Sequence, residues 1–232
     1  VNPLRVQNNV KGTCDMGSFP HELPGYRHIS DDTTRARFEH AWQVALDPEP
    51  GLRIPNMLAS ATTGQFHGIF SHGEDIAQSD PDTKHVTDAL RAMELVVVQD
   101  LFLNETAKYA HVFFPGTAFL EKDGTFTNAE RRINRVRPVM PPRTGLSEWE
   151  IVCRLSTAMG YPMDYANAAA IMDEIASLTP TFTGVSFAHL DQVGSVQWPC
   201  NERTPLGTRI MHEREFVRGK GRFLITQYVP TD

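Results

Sequence analysis

The sequence predicts an α/β fold in which helices cover both faces of a parallel sheet, with a hairpin and flanking helices added to it. Three short apolar runs carry this prediction: Phe66 to Ser71, Leu95 to Val98 and His111 to Phe114. Continuous runs of this length are typical of parallel strands that are buried on both faces. Residues with the spacing of amphipathic helices separate the runs, so each crossover is expected to be right-handed. The arrangement is Rossmann-like.

Two helices are predicted before the first run. Residues 1–30 are dense in proline and glycine, which predicts loop with short turns. Asp31 or Asp32 suits the N-cap of a helix that runs to Ala45, because the apolar residues after it recur on one face. A second helix is predicted over Pro55 to Thr63.

Helical segments also join the three runs. Pro81 suits the first turn of a helix that continues through Val86 to Met93. A short helical stretch from Asn104 to Ala110 leads from the second run to the third. These two segments supply the crossovers of the predicted sheet.

The chain changes character after the third run. Asp123-Gly124 predicts the turn of a hairpin that spans Phe119 to Arg137. Amphipathic helices are predicted over Glu148 to Met159 and over Ala168 to Leu178. From residue 181 onward, sparse apolar residues and several prolines and glycines predict loop and short strands.

Composition and charge exclude several classes of function. The 232 residues are 41% hydrophobic and carry a formal net charge of −6, so no global basic field attracts nucleic acid or anionic lipid. No run approaches the ~18 apolar residues that a membrane helix needs. The three cysteines include no CxxC pair, which excludes a zinc or iron–sulfur site of that type and suits a reducing, cytoplasmic compartment. Because the chain begins with Val1, we expect it to be part of a longer polypeptide.

Polar residues follow the first two apolar runs. Ligands of open α/β sheets bind beyond the carboxyl ends of the strands. A glycine there allows a sharp turn or close backbone approach, and the carboxylates and amide after it can hold a guanine edge or ribose hydroxyls. Solvated turns are an open alternative, and Ser79 or Asp80 also suits a helix cap. The candidates are Gly73, Glu74, Asp75, Ser79, Gln99 and Asp100.

A polar loop near the start of the chain is a second candidate. It combines Arg5 with the amides of Gln7, Asn8 and Asn9. An arginine in such a loop can hold a small anion through two parallel hydrogen bonds. A solvated chain segment is the alternative.

A strip of four arginines is a third candidate. It suits the phosphates of a bound cofactor, although a solvated or ion-paired strand is the alternative. Nucleic acid needs more basic surface and exposed aromatic residues. The strip comprises Arg131, Arg132, Arg135 and Arg137.

The chain has no HExxH, P-loop or GxSxG motif and thus no complete catalytic set.

Several strings form a joint pattern whose order and spacing extend over nearly the whole chain. They are RVQNNVKG at 5–12, DMG at 15–17, PGY at 24–26, GED at 73–75, SDPD at 79–82, VVQD at 97–100, ETA at 105–107, EKDGTFTNAERR at 121–132 and VQWP at 196–199. Together they resemble the large (alpha) subunit of molybdopterin-dependent formate dehydrogenases, within the molybdopterin oxidoreductase family. This pattern is far more specific than any single motif above.

The resemblance implies an oxidoreductase with a bis-molybdopterin guanine dinucleotide cofactor that carries molybdenum or tungsten. It implies oxidation of formate to carbon dioxide, with electrons leaving through iron–sulfur clusters in other parts of the subunit, often to NAD. Nitrate reductases and the large subunit of NADH dehydrogenase share the architecture and are the alternatives. A non-catalytic scaffold without cofactor is an alternative of a different class.

The resemblance also assigns roles to single residues. Arg5 matches the arginine that lies near the metal and orients formate, which is a catalytic role, and Gln7 matches a residue beside the pterin. Val6 stands where the family has glycine, and a β-branched residue loses access to positive φ. The metal-binding cysteine or selenocysteine of the family lies upstream, so no metal ligand is expected here. Dinucleotide contacts map onto Gly73, Glu74, Asp75, Ser79, Gln99 and Asp100, and onto Glu148, where the family usually has aspartate.

The resemblance implies a division of the chain into three parts. Residues 1–64 are expected to form loop and helices that flank the cofactor site, and residues 65–160 a Rossmann-like dinucleotide-binding unit. Residues 161–232 are expected to form a helix and an irregular segment leading to a C-terminal β-barrel domain that lies outside the chain. Expected partners are formate, other subunits of an electron-transfer complex and the N- and C-terminal parts of the same polypeptide, without nucleic acid or membrane insertion. The chain alone is expected to be inactive.

Overall fold

The chain contains a parallel sheet and an antiparallel sheet, each with a buried core, and a small hairpin that precedes both. The structure is a computed structural model that describes residues 7–213 and, beyond them, residues 216, 220, 223, 225 and 227. The predicted α/β class is confirmed, since helices alternate with the strands of the parallel sheet.

The N-terminal segment has more structure than the predicted loop. It forms helix α1, Val10–Asp15, and two short antiparallel strands, β1, Glu22–Leu23, and β2, Arg27–His28. Tertiary contact supports this helix, because the side-chain oxygen of Asn9 accepts a hydrogen bond from the backbone N–H of Thr127 at 2.8 Å. The density of proline and glycine gave no indication of that distant partner.

Two helices lie between this segment and the parallel sheet, as predicted. Helix α2 spans Asp32–Trp42, and α3 spans Ile54–Thr62. Asp31 is confirmed as the N-cap of α2, because its side chain accepts a hydrogen bond from the N–H of Thr34 at 2.7 Å. The helix ends before the predicted Ala45, since Gln43 adopts a left-handed conformation with φ 55°.

The parallel sheet contains the three predicted runs in one layer. Its strands have the order β3-β4-β5, and both pairings are parallel, with Ser71 beside Val98 and Val98 beside Phe113. The elements along the chain are β3, Gly68–His72; α4, Ile76–Ser79; α5, Thr83–Ala92; β4, Leu95–Asp100; a 3-10 turn, Thr106–Tyr109; and β5, Val112–Pro115.

The start of α5 differs from the prediction. Asp82, rather than Ser79 or Asp80, caps the helix, and its side chain accepts a hydrogen bond from the N–H of His85 at 3.1 Å. Pro81 therefore precedes the helix instead of occupying its first turn. Ser79 is the last residue of the separate helix α4, which leaves its hydroxyl free of any capping role on α5.

The core of the parallel sheet lies between one sheet face and helices α3 and α5. It includes Val96 and Val98 of β4 and Val86 and Leu90 of α5. On the other face, Phe70, Leu95 and Val112 remain 41%, 49% and 40% exposed. Cover on that face is local: a cavity beside Phe114 is lined by Ile151 and Leu155, which belong to the helix that follows residue 147.

The hairpin turns at a different place from the one predicted. Its strands are β6, Gly124–Thr127, and β7, Arg132–Val136, so Asp123-Gly124 lies at the start of β6 and does not form the turn. The side-chain oxygen of Asn128 accepts hydrogen bonds from the N–H groups of Glu130 and Arg132 at 3.1 and 2.9 Å. Arg131 has φ 67°. An asparagine that bonds to its neighbours' backbone is a turn signal that competes with Asp-Gly.

The rest of the chain completes the antiparallel sheet. Strand β8 pairs with β7, so the strand order is β6-β7-β8. The sheet packs on α7 and α8 through a second core that includes Ile133, Met172, Leu190 and Val196. The elements are α6, Glu148–Ala158; α7, Ala168–Leu178; α8, Phe187–Val193; and β8, Ser195–Gln197.

Of these elements, α6 and α7 match the predicted helices, whereas α8 lies where only loop and short strands were predicted. The antiparallel sheet joins residues 124–136 to residues 195–197, on opposite sides of the predicted boundary at 160. The predicted three-part division stays a prediction. Among the described residues, no helix has the length and apolar character needed to cross a membrane.

Candidate functional site

The carboxyl ends of the three parallel strands meet at one edge of the sheet, called the carboxyl edge below. His72 of β3 lies beside Gln99 of β4, and Asp100 of β4 lies beside Pro115 of β5. The N–H of Gly73 donates a hydrogen bond to the carbonyl oxygen of Gln99 at 2.8 Å, which extends the pairing into the loop after β3. Open α/β sheets bind ligands at this position.

Three of the predicted site residues form one loop after β3. Gly73 has φ +64°, a left-handed conformation that glycine adopts without strain. A Cβ added to Gly73 meets no atom within 4 Å, so the requirement there is conformational. The Ser79 hydroxyl donates a hydrogen bond to Oε1 of Glu74 at 2.5 Å. Glu74 and Ser79 are exposed, so this pair faces solvent at the carboxyl edge.

Asp75 uses both of its oxygens to connect the loop after β3 to the loop after β4. Oδ1 accepts hydrogen bonds from the N–H and the hydroxyl of Thr106 at 2.9 and 2.6 Å, and Oδ2 accepts from Gln78 at 2.6 Å and from the N–H of Glu105 at 3.3 Å. The buried Thr106 hydroxyl accepts from the N–H of Ala77 at 3.0 Å. Burial raises the pKa of Asp75, but the hydrogen bonds outweigh burial and hold the pKa below its ordinary value. With its lone pairs occupied, Asp75 fixes the two loops together.

Gln99 is a fully buried polar residue without partners at the carboxyl edge. Its side chain is 0% exposed, and among the described residues neither Oε1 nor Nε2 has a hydrogen-bond partner. Buried polar groups are nearly always hydrogen-bonded, and an unmade bond of this kind costs about 1–3 kcal/mol. A water molecule or a ligand group would satisfy the amide.

Asp100 shapes the loop that follows β4. Its Oδ1 accepts a hydrogen bond from the N–H of Leu101 at 2.6 Å, and its Oδ2 accepts from the side-chain amide of Asn104 at 2.8 Å. Asn104 in turn accepts from the N–H of Ala107 at 2.9 Å. The turn role that the sequence left open for Asp100 is confirmed, and its contact with a cofactor stays a prediction.

Glu148 connects the start of α6 to the loop after β5. Oε1 accepts a hydrogen bond from the N–H of Thr117 at 3.0 Å and lies 2.9 Å from Nζ of Lys122, while Oε2 accepts from the Thr117 hydroxyl. Burial raises the pKa of Glu148, but Lys122 and Thr117 outweigh burial and lower it. Glu148 is therefore ionised at neutral pH, and its charge is held by partners on two loop segments.

His72 lies within the electrostatic influence of the charged groups of the carboxyl edge. Burial lowers its pKa; Glu148 and Asp100 oppose that effect and Lys122 adds to it. The net result is a pKa below the ordinary value of 6.5, so His72 is neutral at pH 7. Its ring stacks on Phe70 with 6.1 Å between centroids.

The structure describes the N-terminal candidates only from Gln7 onward. Arg5, the predicted catalytic residue, and Val6 are outside the described residues. Gln7 is exposed and precedes Asn9, whose side chain bonds to Thr127 of β6. The start of α1 therefore lies against the antiparallel sheet, and the predicted role of Gln7 stays a prediction.

Three strings that are distant in sequence meet around Asp15. The Tyr26 hydroxyl donates a hydrogen bond to Oδ1 of Asp15 at 2.8 Å, and the Tyr26 ring lies 5.6 Å from the ring of Trp198. Arg131 donates to the carbonyl oxygen of Trp198. Burial raises the pKa of Asp15 from its ordinary value of 3.8 to about 6, against the opposing effects of Tyr26 and Lys11. Some residues of the strings that carry the resemblance therefore have a structural role around the buried Asp15.

The arginine strip is engaged within the protein. Arg135 lies 2.8 Å from Asp123 and 3.2 Å from Asp191, and its guanidinium lies 3.8 Å from the centroid of the Phe187 ring. Arg131 donates to backbone carbonyl oxygens. The other two are ion-paired as well: Arg132 with Glu130 and Arg137 with Asp191. The ion-paired alternative is confirmed for Arg132, Arg135 and Arg137, and Arg131 is held by backbone carbonyl oxygens.

Within the described part of the chain, no group of three or more His, Cys, Asp or Glu side chains is arranged to hold a metal ion. The sequence analysis gave no role to Thr117 or Lys122, which the structure places with Glu148 at the carboxyl edge. The signals were present: Thr117 follows the third apolar run, and Lys122 lies in the string at 121–132. Neither residue forms a recognisable motif alone.

Comparison with known proteins identifies the family of the chain. Residues 7–158 match the family model described as molybdopterin oxidoreductase. The chain is 42% identical to the F420-dependent formate dehydrogenase subunit alpha of Methanocaldococcus jannaschii over 226 residues, which are 96% of this chain and 33% of that protein. It is 38% identical to formate dehydrogenase H of Escherichia coli over 225 residues, which are 95% of this chain and 32% of that protein. The chain thus spans about a third of the length of these curated relatives.

A solved structure supports the fold at low sequence identity. The chain is similar to acetylene hydratase from Pelobacter acetylenicus with a TM-score of 0.54 and 16% identity, over 80% of this chain and 28% of that one. At this identity the likeness concerns the fold alone.

Proposed function

The chain belongs to the molybdopterin oxidoreductase family, and from this premise we propose that it is part of the catalytic subunit of a formate dehydrogenase. The proposed reaction converts formate to carbon dioxide, one proton and two electrons. We propose bis-molybdopterin guanine dinucleotide with molybdenum or tungsten as the cofactor, and iron–sulfur clusters elsewhere in the full-length subunit. The formate dehydrogenase names of the relatives that match nearly the whole chain support the substrate.

The unpartnered amide of Gln99 is the observation that carries the proposal. An amide offers two donors and an acceptor, and the edge of a guanine base offers complementary acceptors and donors. A binding partner of this kind removes the cost of two buried, unmade hydrogen bonds at the end of β4. The residues present therefore fit a dinucleotide tail at the carboxyl edge.

The other residues of the edge divide into two groups in this proposal. Glu74 and Ser79 are exposed near Gly73, and their side-chain oxygens retain acceptor capacity, which suits direct contact with hydroxyl groups of the tail. Asp75 and Asp100 use their oxygens for internal hydrogen bonds and position the two loops. Glu148, held in place by Thr117, is proposed to complete the edge from the side of α6.

The chain's own contribution to the reaction is binding and orientation. The cofactor supplies the two-electron chemistry when bound, and the protein supplies position and electrostatics. We propose that Arg5 holds formate, because a guanidinium pairs with a carboxylate through two parallel hydrogen bonds. Fixing a small anion in one orientation lowers the entropic part of the reaction barrier.

We propose a soluble hydride carrier as the electron acceptor, either NAD or F420. NAD follows from the resemblance found in the sequence. F420 is suggested by the name of the relative from Methanocaldococcus jannaschii, an F420-dependent formate dehydrogenase subunit. Assays with both acceptors on the same purified complex distinguish them, since each carrier is followed by its own absorbance change.

The proposal is tested on the full-length subunit purified without oxygen. We expect formate to reduce an artificial dye, and nitrate to leave the reduced dye unoxidised. Acid release of a fluorescent pterin would accompany this activity. A subunit that oxidises reduced dye with nitrate favours a nitrate reductase, and a subunit without pterin or dye reduction favours the cofactor-free scaffold. Residues 1–232 expressed alone are expected to give no turnover.

A further inference from the structure

We propose that Lys122 binds the phosphate portion of the cofactor tail at the carboxyl edge, as a further cofactor-positioning residue. This inference rests on the proposed function. It assigns a contact to a residue for which neither the sequence patterns nor the matched family gave a role. The ligand chemistry is that of a nucleoside diphosphate, in which the guanine and ribose are neutral and the diphosphate is anionic.

The carboxyl edge is acidic, so an anionic tail needs a cation there. Glu148 is ionised, and Asp100, Asp75 and Glu74 lie on the two neighbouring loops. His72 is neutral because its pKa is lowered by burial. Like charges repel strongly where solvent screening is reduced. A diphosphate brought to this edge therefore requires a positive partner within the protein.

Lys122 is placed to be that partner. Among the charged groups that act on His72, namely Glu148, Lys122 and Asp100, Lys122 is the cation. Its side chain is 35% exposed, and its Nζ lies 2.9 Å from Glu148. An ammonium has three donors, so Lys122 can contact an incoming phosphate oxygen while it keeps the ion pair.

The position of Glu148 does not depend on its ion pair with Lys122. The Thr117 N–H and hydroxyl both donate to Glu148, and Thr117 is only 3% exposed. Glu148 therefore stays fixed if the lysine swings toward a ligand. Lys122 can therefore move toward a ligand at the carboxyl edge while the Glu148 carboxylate keeps its position.

The arginine strip gives the contrast. Its four guanidinium groups bond to carboxylates and backbone carbonyls on β7 and its neighbours. A phosphate that recruited Arg135 would have to break two ion pairs and a ring contact. Among the described residues Lys122 has one ionic partner and is partly exposed, and it pairs with Glu148 at the carboxyl edge, whereas the arginines lie on or beside β7.

The test compares two ligands that differ only in the diphosphate. The full-length subunit is produced without cofactor in a host that cannot make molybdopterin. Binding of guanosine diphosphate and of guanosine is measured by equilibrium dialysis, and the data are fitted with two classes of site because the proposed cofactor has two dinucleotide tails. The variants are Lys122→Gln, Lys122→Met and Lys122→Arg. The matched control is Lys108→Gln, which breaks the ion pair between Lys108 and Glu105 on the exposed face of the 3-10 turn.

We expect Lys122→Gln and Lys122→Met to weaken guanosine diphosphate binding about tenfold at one class of site, as expected for loss of a charge-assisted hydrogen bond. Guanosine binding should not change. Lys122→Arg should retain most of the diphosphate affinity, and Lys108→Gln should alter neither ligand.

Two results overturn the inference while the proposed function stands. In one, guanosine diphosphate binds equally well to the wild type and to both neutral variants. In the other, both ligands weaken by the same factor, which assigns Lys122 a purely structural role. If the wild type binds neither ligand at any site, the proposed dinucleotide edge is itself contradicted and the inference is rejected with it.

Discussion

Asp15 carries a buried carboxyl group whose ionisation opposes folding. It is 3% exposed, and its Oδ2 has no partner. Its pKa is raised from 3.8 to about 6, so the folded state holds the proton more tightly than the unfolded state. Stability from this group is complete below the unfolded pKa and declines as pH rises through the folded pKa.

We expect Asp15→Asn to stabilise the protein by about 2 kcal/mol at pH 7, since the amide keeps an acceptor for Tyr26 without a buried charge. The gain should shrink as pH falls below about 6 and disappear below the unfolded pKa of 3.8, where Asp15 is protonated in both states. Urea unfolding across this pH range measures the effect. The exposed Asp173→Asn serves as a control without a pH-dependent gain. A gain that is independent of pH would contradict the assignment.

Gln99 also carries a stability cost, which we propose is retained for binding. We expect Gln99→Met to raise the free energy of unfolding of the cofactor-free protein by about 1–3 kcal/mol, because it removes a buried amide that lacks hydrogen-bond partners. Pterin content of the full-length protein should fall. Gln65→Met, on an exposed turn, should change neither property. Normal pterin content in Gln99→Met would remove Gln99 from the cofactor site.

At the scale of elements, the hairpin of β6 and β7 follows one of two turn signals in its sequence, Asn128, and not the other, Asp123-Gly124. We expect Gly124→Ala to be nearly neutral, because Gly124 begins a strand and an added Cβ meets no atom within 4 Å. Asn128→Ala should cost about 1 kcal/mol, since two backbone N–H groups lose their acceptor. Chemical unfolding of both variants measures the difference. The reverse order of effects would restore the turn predicted at Asp123-Gly124.

The elements that sequence predicted well are those with a strong local signal. The apolar runs at Leu95 to Val98 and His111 to Phe114 specified strands without reference to the rest of the chain, although burial on both faces was predicted and Leu95 and Val112 remain exposed. Helix α8 was not predicted, and β8 was covered only by the general expectation of short strands after residue 181, because it is short and gains its stability from pairing with β7. At the carboxyl edge, sequence identified Gln99, but its burial without a partner depends on three neighbouring strands. The ion pair between Lys122 and Glu148 depends on how the start of α6 packs against the loop that holds Lys122, which no local sequence pattern specifies.

At the scale of the whole molecule, the uneven cover of the parallel sheet is the main feature. Helices α3 and α5 bury one face, whereas Phe70, Leu95 and Val112 remain substantially exposed on the other. Exposed apolar patches of this kind favour association. The net charge of −6 opposes association only at long range and is screened by salt.

We expect residues 1–232 expressed alone to bind the dye 8-anilinonaphthalene-1-sulfonate, because the open sheet face offers apolar surface. The double variant Phe70→Thr and Val112→Thr should bind less dye, since threonine keeps strand propensity while removing apolar area. Fluorescence titration measures this. The double variant Thr62→Ser and Thr63→Ser, at the exposed end of α3, is the control. Equal dye binding by the wild type and the Phe70/Val112 variant would place the apolar surface elsewhere.

The reciprocal bonds among Asp75, Thr106 and Ala77 have a consequence for how this region opens. Each of the two loops supplies hydrogen bonds that the other needs, so neither loop separates without breaking the same set of contacts. Amide hydrogen exchange at Ala77 and Thr106 should therefore proceed with one common opening free energy, as in a single cooperative unit. The two loops are therefore expected to open together and not one at a time.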